Sequence, residues 1–288
     1  MSSITDILAT VDKLEPFPET AAKLAQIVSD EKSTIDDVVN IIKYDQAIST
    51  EILRIANSVF SASKREITSV REGVIRLGSG RILEILVSRS VRSVMCQPLK
   101  QYGYLEKELW FHSIASAIAA EYLNSYAKTS IGGISFTAAL LHDLGKLLIV
   151  NKFSDKDVFK ILKLLRNEDI AWAAAEKKVF GFSHADIGAE IADMWGLPDV
   201  IIRAILNHHN DDYGFDPIID CVRVSNVVAR VIGYGVGFEG MGVCIDSNIA
   251  ERLKISREQF EQICAETAQK FMEVIAMYDM ENNNSTKK

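Results

Sequence analysis

The chain has 288 residues, 48% of them hydrophobic, and a formal net charge of −7 at pH 7. That is apolar material for one large or two ordinary cores, and the negative balance argues against unspecific nucleic-acid binding, which needs a positive surface. The four cysteines (Cys96, Cys221, Cys244, Cys264) form no CxxC pair, Asp6, Asp12 and Glu15 rule out a secretory signal, and no run approaches a membrane span, so the expectation is a soluble cytoplasmic protein with reduced thiols used in packing.

Helical periodicity dominates from the start. Pro16 and Pro18 mark a turn before a helix over Thr20–Ser29. Ser33-Thr34-Ile35-Asp36-Asp37 reads as a cap followed by first-turn acids, which suit a helix N-terminus. Ile35, Val38, Val39, Ile41 and Ile42 recur at helical spacing, as do Ile52, Leu53, Ile55 and Ala56. Leu77-Gly78-Ser79-Gly80 reads as a break between helices. Strand-like alternation is rare and short, so the fold class is all-α. Pro98–Gly103 is the candidate boundary between an N-terminal helical part (1–99) and a second part (100–280), with 281–288 a polar, frayed tail. Ser256 with Gln259 resembles a capping box opening a last helix to about Met277.

All five histidines lie in the second part, in the order His112, His142, His184, His208, His209, with Asp143 directly after His142. Imidazole and carboxylate suit divalent iron, manganese or zinc. Thr137–Val150 is apolar apart from His142, Asp143 and Lys146, which reads as a buried helix. A buried carboxylate there needs an ion pair, hydrogen bonds or a metal, and Gly145 thins or ends the helix and lets another group come close. His112 sits on an alanine- and isoleucine-rich helix with Glu108 four residues earlier on the same face, so Glu108 reads first as a solvated acid and second as a candidate ligand. His184 opens a helix capped by Ser183 that ends near Gly196, and His208-His209 follow the apolar stretch Val200–Leu206. Each histidine alone reads equally as a satisfied core residue or an exposed helix end. Together they form a candidate binuclear metal site. The glycine-rich stretch Ile232–Gly242 lacks the Gly-Lys-Ser/Thr of a phosphate loop and reads as a flexible loop, close enough to this site to cover it. Trp110, Trp172 and Trp195 read as core, and Lys64-Arg65, Arg89 and Arg92 as solvated faces.

His112-Ser113, His142-Asp143-Leu144-Gly145-Lys146, His184 and His208-His209 resemble the HD superfamily of metal-dependent phosphohydrolases, in the order of its HD-GYP branch, which hydrolyses cyclic di-GMP. Leu14-Glu15-Pro16-Phe17-Pro18, Tyr44-Asp45-Gln46, Leu53-Arg54-Ile55-Ala56-Asn57-Ser58 and Leu77-Gly78 resemble the HDOD domain of bacterial signalling proteins, over residues 14 to about 230. The resemblance implies a multi-helix HD fold and, in one reading, a phosphohydrolase acting on a nucleotide or cyclic nucleotide. Two divalent ions, iron or manganese before zinc, would be bridged by Asp143, with Lys146 stabilising charge on the phosphate. In the other reading the chain is a non-catalytic signalling module. Its metal is structural or senses iron or redox state, and its partner is a phosphate-bearing small molecule or a signalling protein. No nucleic acid or membrane partner is expected. The sequence departs from HD-GYP at two places. Asn226 stands where the resemblance implies an aspartate ligand, which implies a looser second metal. HHNDDYGFDP replaces HHExxDGxGYP, which implies poor recognition of cyclic di-GMP.

Overall fold

In a computed structural model of the chain, residues 4–9, 16–59, 67–168, 170–240 and 247–285 are described. Leu14, Glu15, Lys64, Arg65, Cys244 and the end of the glycine-rich stretch therefore lie outside the described residues. The described chain is helical, and its one β feature is an isolated bridge between Leu99 and Tyr104. No described helix is long and apolar enough to cross a membrane.

Six helices come first: α1 (Ile4–Leu8), α2 (Glu19–Ser29), α3 (Ile35–Ile42), α4 (Gln46–Val59), α5 (Val70–Leu77) and α6 (Ser79–Met95). Their ends follow local chemistry. Thr34 and Asp37 form the reciprocal capping box at the start of α3, and Ser69 caps α5 by accepting from the Glu72 N–H. Gly78, at φ +82°, is the whole break between α5 and α6, a conformation that costs other residues strain.

A short 3₁₀ turn, Lys100–Tyr102, leads to α7 (Glu108–Tyr126). Helix α7 is buried on nearly every side, through Leu109, Trp110 and the run His112–Ala120. Its alanines and serines let neighbours approach closely, and α8 (Ser135–Leu141), α14 (Pro217–Val231) and α16 (Arg257–Ser285) pack around it. Between α8 and α14 lie α9 (Lys146–Ile149), α10 (Asp155–Glu168), α11 (Trp172–Phe180), α12 (His184–Met194) and α13 (Asp199–Asn207); α15 (Ser247–Leu253) precedes α16. One continuous apolar core joins residues from α1 through α16. The Ser256–Gln259 capping box is present at the start of α16. That helix runs past Met277 to Ser285, and 286–288 lie outside the described residues.

The apolar stretch Thr137–Val150 is not one helix. Helix α8 stops at Leu141, His142–Gly145 make a turn, and α9 starts at Lys146. The reason is the crossing of α12. A Cβ on Gly145 would stand 1.9 Å from the His184 carbonyl oxygen and 2.6 Å from the Gly188 nitrogen, and one on Gly188 would meet the Gly145 nitrogen at 3.1 Å. Two glycine backbones touch there, and the contact brings the His142-Asp143 turn against the N-terminus of α12. Gly145→Ala forces these backbones apart. We expect it to destabilise the fold by about 3 kcal/mol, the upper end of overpacking costs. Chemical denaturation of variant and parent checks this, and a change below about 0.5 kcal/mol, the scale of an ordinary surface substitution, contradicts the crossing.

Candidate metal centre

Three helix ends and one helix interior deliver the donors. His112 projects from the interior of α7, His142 and Asp143 from the turn after α8, His184 from the first position of α12, and His208 and His209 from the end of α13. Ser183 holds the start of α12 in register through a capping box with Asp186. The donors fall into two groups that share Asp143: His112, His142 and Asp143 in one, and Asp143, His184, His208 and His209 in the other. Within each group the ligand atoms lie within 4.8 Å of one another.

Four imidazoles face inward with the same nitrogen. His112 Nδ1 lies 3.1 Å from the Tyr234 carbonyl, His142 Nδ1 2.7 Å from that of Ala139, His208 Nδ1 2.6 Å from that of Ile205, and His184 Nδ1 2.7 Å from Glu176 Oε2. A carbonyl or carboxylate only accepts, so each Nδ1 carries the proton and donates. The Nε2 atoms are thereby turned inward. They pair across the centre at 3.3 Å (His112 to His142) and 3.4 Å (His184 to His208). Asp143 lies between the pairs, its Oδ2 3.4 Å from both His112 and His142 Nε2, its Oδ1 3.3 Å from His184 Nε2 and 3.7 Å from His208 Nε2.

These donor groups suit a divalent cation, and the imidazole-to-carboxylate separations are longer than charge-assisted hydrogen bonds. A charge-assisted hydrogen bond to a carboxylate spans about 2.7–2.9 Å; only Lys146 Nζ, at 2.9 Å from Oδ2, comes that close to Asp143, and both oxygens are buried. Two nitrogens bound to one ion at about 2.0–2.1 Å stand about 3.0–3.4 Å apart, depending on the angle. His209 Nε2 and Asn226 Oδ1 are also buried without partners. Burial and the neighbouring imidazoles push His209 well below the ordinary imidazole range. Burial likewise lowers His112 to about 3 and His208 to about 4, which leaves neutral rings with free lone pairs. His184 goes the other way. Burial would lower it, but the Glu176 carboxylate and its contact with Asp143 raise it to about 9, so a cation at this end must displace the Nε2 proton. Burial would raise Asp143, yet His142 and Lys146 hold it well below the usual carboxylate range.

The structure brings His112, His142, Asp143, His184, His208 and His209 together. It does not bring Glu108 to them. Glu108 opens α7, where its carboxylate accepts from the Leu105 N–H at 2.6 Å, one turn before His112 and outside both donor groups. Asn226 is buried in α14, four residues before Arg230 and so on the same helix face.

Two acids escaped sequence reasoning. Glu176, fully buried in α11, accepts from the His184 Nδ1–H, from the His184 backbone N–H at 2.8 Å, from Trp172 Nε1 at 2.9 Å and from the Tyr102 hydroxyl. Its signal was an acid among Trp172, Ala173 and Ala175 on an otherwise apolar helix face, eight residues before His184. Trp172 is therefore a hydrogen-bond donor as well as a core residue. Glu239 comes from the glycine-rich stretch, which is not a free loop. Tyr234 accepts from His112, Tyr104 OH donates to the Gly235 carbonyl at 3.1 Å, and Glu239 pairs with Lys146 and Arg230. Lys146 Nζ also lies 2.9 Å from Asp143 Oδ2 and 3.3 Å from Tyr104 OH. Past the histidine pair, Arg223 holds the Asn210 carbonyl and Asp211, and Arg252 grips the buried Asp220 with two hydrogen bonds while also reaching Tyr213.

A family model of the HDOD domain matches residues 14–211. An uncharacterized protein of Treponema pallidum is 24% identical over 277 residues, a match that takes in 93% of this chain and 52% of that protein. The chain thus spans about half the length of that relative. Among solved structures, an HDOD domain protein of unknown function from Geobacter sulfurreducens is 25% identical, with a TM-score of 0.67 and 96% of each chain covered. A candidate signal transduction protein from Marinobacter aquaeolei (22% identical, TM-score 0.70, 95% of this chain and 61% of that one) shares the fold. So does a candidate phosphohydrolase from Shewanella amazonensis (21%, 0.55, 91% and 97%).

Carboxylates that orient a ligating imidazole typically contribute 10–100-fold in metal affinity. Glu176→Gln keeps the shape and removes the charge, so we expect manganese affinity to fall by about that factor while the helical content stays. Isothermal titration of metal-stripped protein checks this. Equal affinity would mean that His184 is not held for ligation.

Proposed function

The chain belongs to the HDOD domain family, and on that premise we propose that it is a bacterial signalling module built around a two-ion divalent metal centre bridged by Asp143. The observation that carries this reading is the placement of the two Asp143 oxygens, each facing a pair of Nε2 atoms whose rings are fixed by their Nδ1 hydrogen bonds. His112 and His142 would complete one half, and His184, His208 and His209 the other, with Asn226, whose Oδ1 is buried and unpartnered, a weaker neutral candidate donor. A set of imidazoles around one carboxylate suits iron or manganese, and zinc as well.

When bound, such ions supply Lewis acidity toward phosphate oxygens. The chain's own residues decide whether that chemistry is used. Lys146, beside Asp143, is the group positioned to hold a phosphate oxygen, and it is the observation that favours a phosphohydrolase acting on a nucleotide or cyclic nucleotide. Against turnover stands the occupation of Lys146 by Glu239, whose carboxylate also engages Arg230. Burial would raise Glu239, but Lys146 and Arg230 hold it down at about 2, so it stays an anion at any ordinary pH. Beyond His209, Arg223 and Arg252 are engaged within the chain by Asp211 and Asp220. We therefore favour a cytoplasmic module that reports the state of its metal centre to a protein partner. Its turnover of cyclic di-GMP is weak or absent.

Elemental analysis and activity assays of reduced, iron- or manganese-loaded protein test the reading. The parent should retain metal through gel filtration, and Asp143→Ala should lose it and melt at lower temperature, since a ligand bound only to the folded state stabilises it. Cyclic di-GMP cleavage should be at background for both. Rapid, Asp143-dependent cleavage would instead make the protein a divergent cyclic di-GMP hydrolase, and equal metal content in both would remove the centre.

A further inference from the structure

Lys146, Arg230 and Glu239 form a buried charge cluster that the metal centre does not explain. Their side chains are 0%, 9% and 2% exposed. Glu239 gives one oxygen to each cation, Oε1 to Lys146 and Oε2 to Arg230. Buried cations need such partners, because desolvating an unpaired charge costs several kcal/mol. The fit is nevertheless incomplete. Arg230 Nε is buried with no hydrogen-bond partner among the described residues. A carboxylate, with two oxygens, leaves that donor idle. A tetrahedral oxyanion carries more acceptor oxygens and matches the planar donor fork of arginine.

We infer that Lys146 and Arg230 are a binding subsite for a phosphate group, which the chain fills with its own Glu239 carboxylate until a phosphate-bearing small molecule displaces it. The subsite touches the centre proposed above through the 2.9 Å contact between Lys146 Nζ and Asp143 Oδ2, and its relevance to signalling rests on that reading.

In this proposal the segment carrying Glu239 acts as a flap that turns on its glycines. Gly233, Gly235, Gly237 and Gly240 all have positive φ, at +95°, +71°, +39° and +74°. The backbone lies so close to the site that a Cβ on Gly235 would stand 2.3 Å from His112 Nδ1, and one on Gly237 2.3 Å from the Tyr102 carbonyl oxygen. Polar contacts hold its Glu239 end, while its Tyr234 end packs on Phe111 and Phe271. Phe238, the large apolar side chain at its tip, is 45% exposed and rests on the Trp172 ring at 6.5 Å. Lifting the segment releases Lys146 and Arg230 together. The same stretch carries the Tyr234 carbonyl that accepts from His112 Nδ1. Arrival of the anion and the orientation of a proposed metal ligand are thus coupled through one stretch of backbone.

Binding of inorganic phosphate and of a nucleoside 5′-monophosphate to the full chain tests the inference. With the flap shut in all but about 10% of molecules or fewer, parent protein binds weakly, and Glu239→Gln, which frees both cations, should bind phosphate at least about tenfold more tightly. Arg230→Gln added to Glu239→Gln should abolish the gain. Tighter binding of the nucleotide than of free phosphate identifies the phosphomonoester as the ligand class, and the reverse order identifies phosphate itself. Thermal melts with phosphate against chloride at matched ionic strength give a second readout should Glu239→Gln be unstable: phosphate should restore its melting temperature selectively. No gain in Glu239→Gln by either measure, or a gain that survives in the double variant, overturns the inference. Metal content of the same samples separates this from the metal reading, since the phosphate result stands or falls whether or not the parent carries metal.

Discussion

A single carboxylate placed where water cannot reach it constrains the rest of this molecule. Asp143 has both oxygens buried, with Lys146 at 2.9 Å from Oδ2 and imidazole nitrogens at 3.3–3.7 Å, and it is held ionised by the groups around it. An arrangement of that kind persists only if cationic charge is supplied on both sides. Lys146 supplies part of it at Oδ2. On the remaining approaches stand imidazole Nε2 atoms, turned inward by carbonyls and by Glu176. The backbone obeys the same requirement. Helix α8 has to end before His142, Gly145 has to lack a side chain so that α12 can cross, and α12 has to begin at His184.

Beyond the donors, a second ring of charge closes the site. Lys146 and Arg230 meet Glu239, and Tyr102 and Tyr104 line the same region, with the Lys146 ammonium about 5 Å from both rings (5.1 and 5.3 Å). Two cations and two carboxylates balance within this cluster, and the balance depends on a segment with four positive-φ glycines. Enzymes that act on phosphates usually leave such cations open to substrate. Here a carboxylate of the chain itself stands in that place. The combination suits a protein whose centre is consulted rather than continuously used, and it is the physical reason we place signalling ahead of turnover.

Local chemistry made much of this legible in the sequence. Ser183, Thr34 and the Ser256–Gln259 pair mark helix starts because a side-chain oxygen there must satisfy exposed N–H groups. Gly78 marks a break because only glycine adopts its φ cheaply. The five histidines and Asp143 were legible by chemistry and order, and the all-helical class by periodicity. What stayed hidden depends on distance in the chain. The run Thr137–Val150 looks like one apolar helix because the cause of its interruption, Gly188, lies more than forty positions away. Glu176 looks like a helix-face acid until His184 folds back on it, and Glu239 looks solvated until Lys146 and Arg230, from two other helices, surround it. Glu108 is the converse case. Its spacing to His112 was right for a shared face, but a free N–H at the helix start claimed it first.

The most direct measurement of the central claim is anomalous diffraction from crystals of the chain grown with manganese and collected on both sides of the metal absorption edge. The account predicts two anomalous peaks, one between Asp143 Oδ2 and the His112–His142 pair and one between Oδ1 and the His184–His208 pair. No anomalous density around Asp143, with its oxygens instead drawn into short hydrogen bonds from protonated imidazoles, would contradict it.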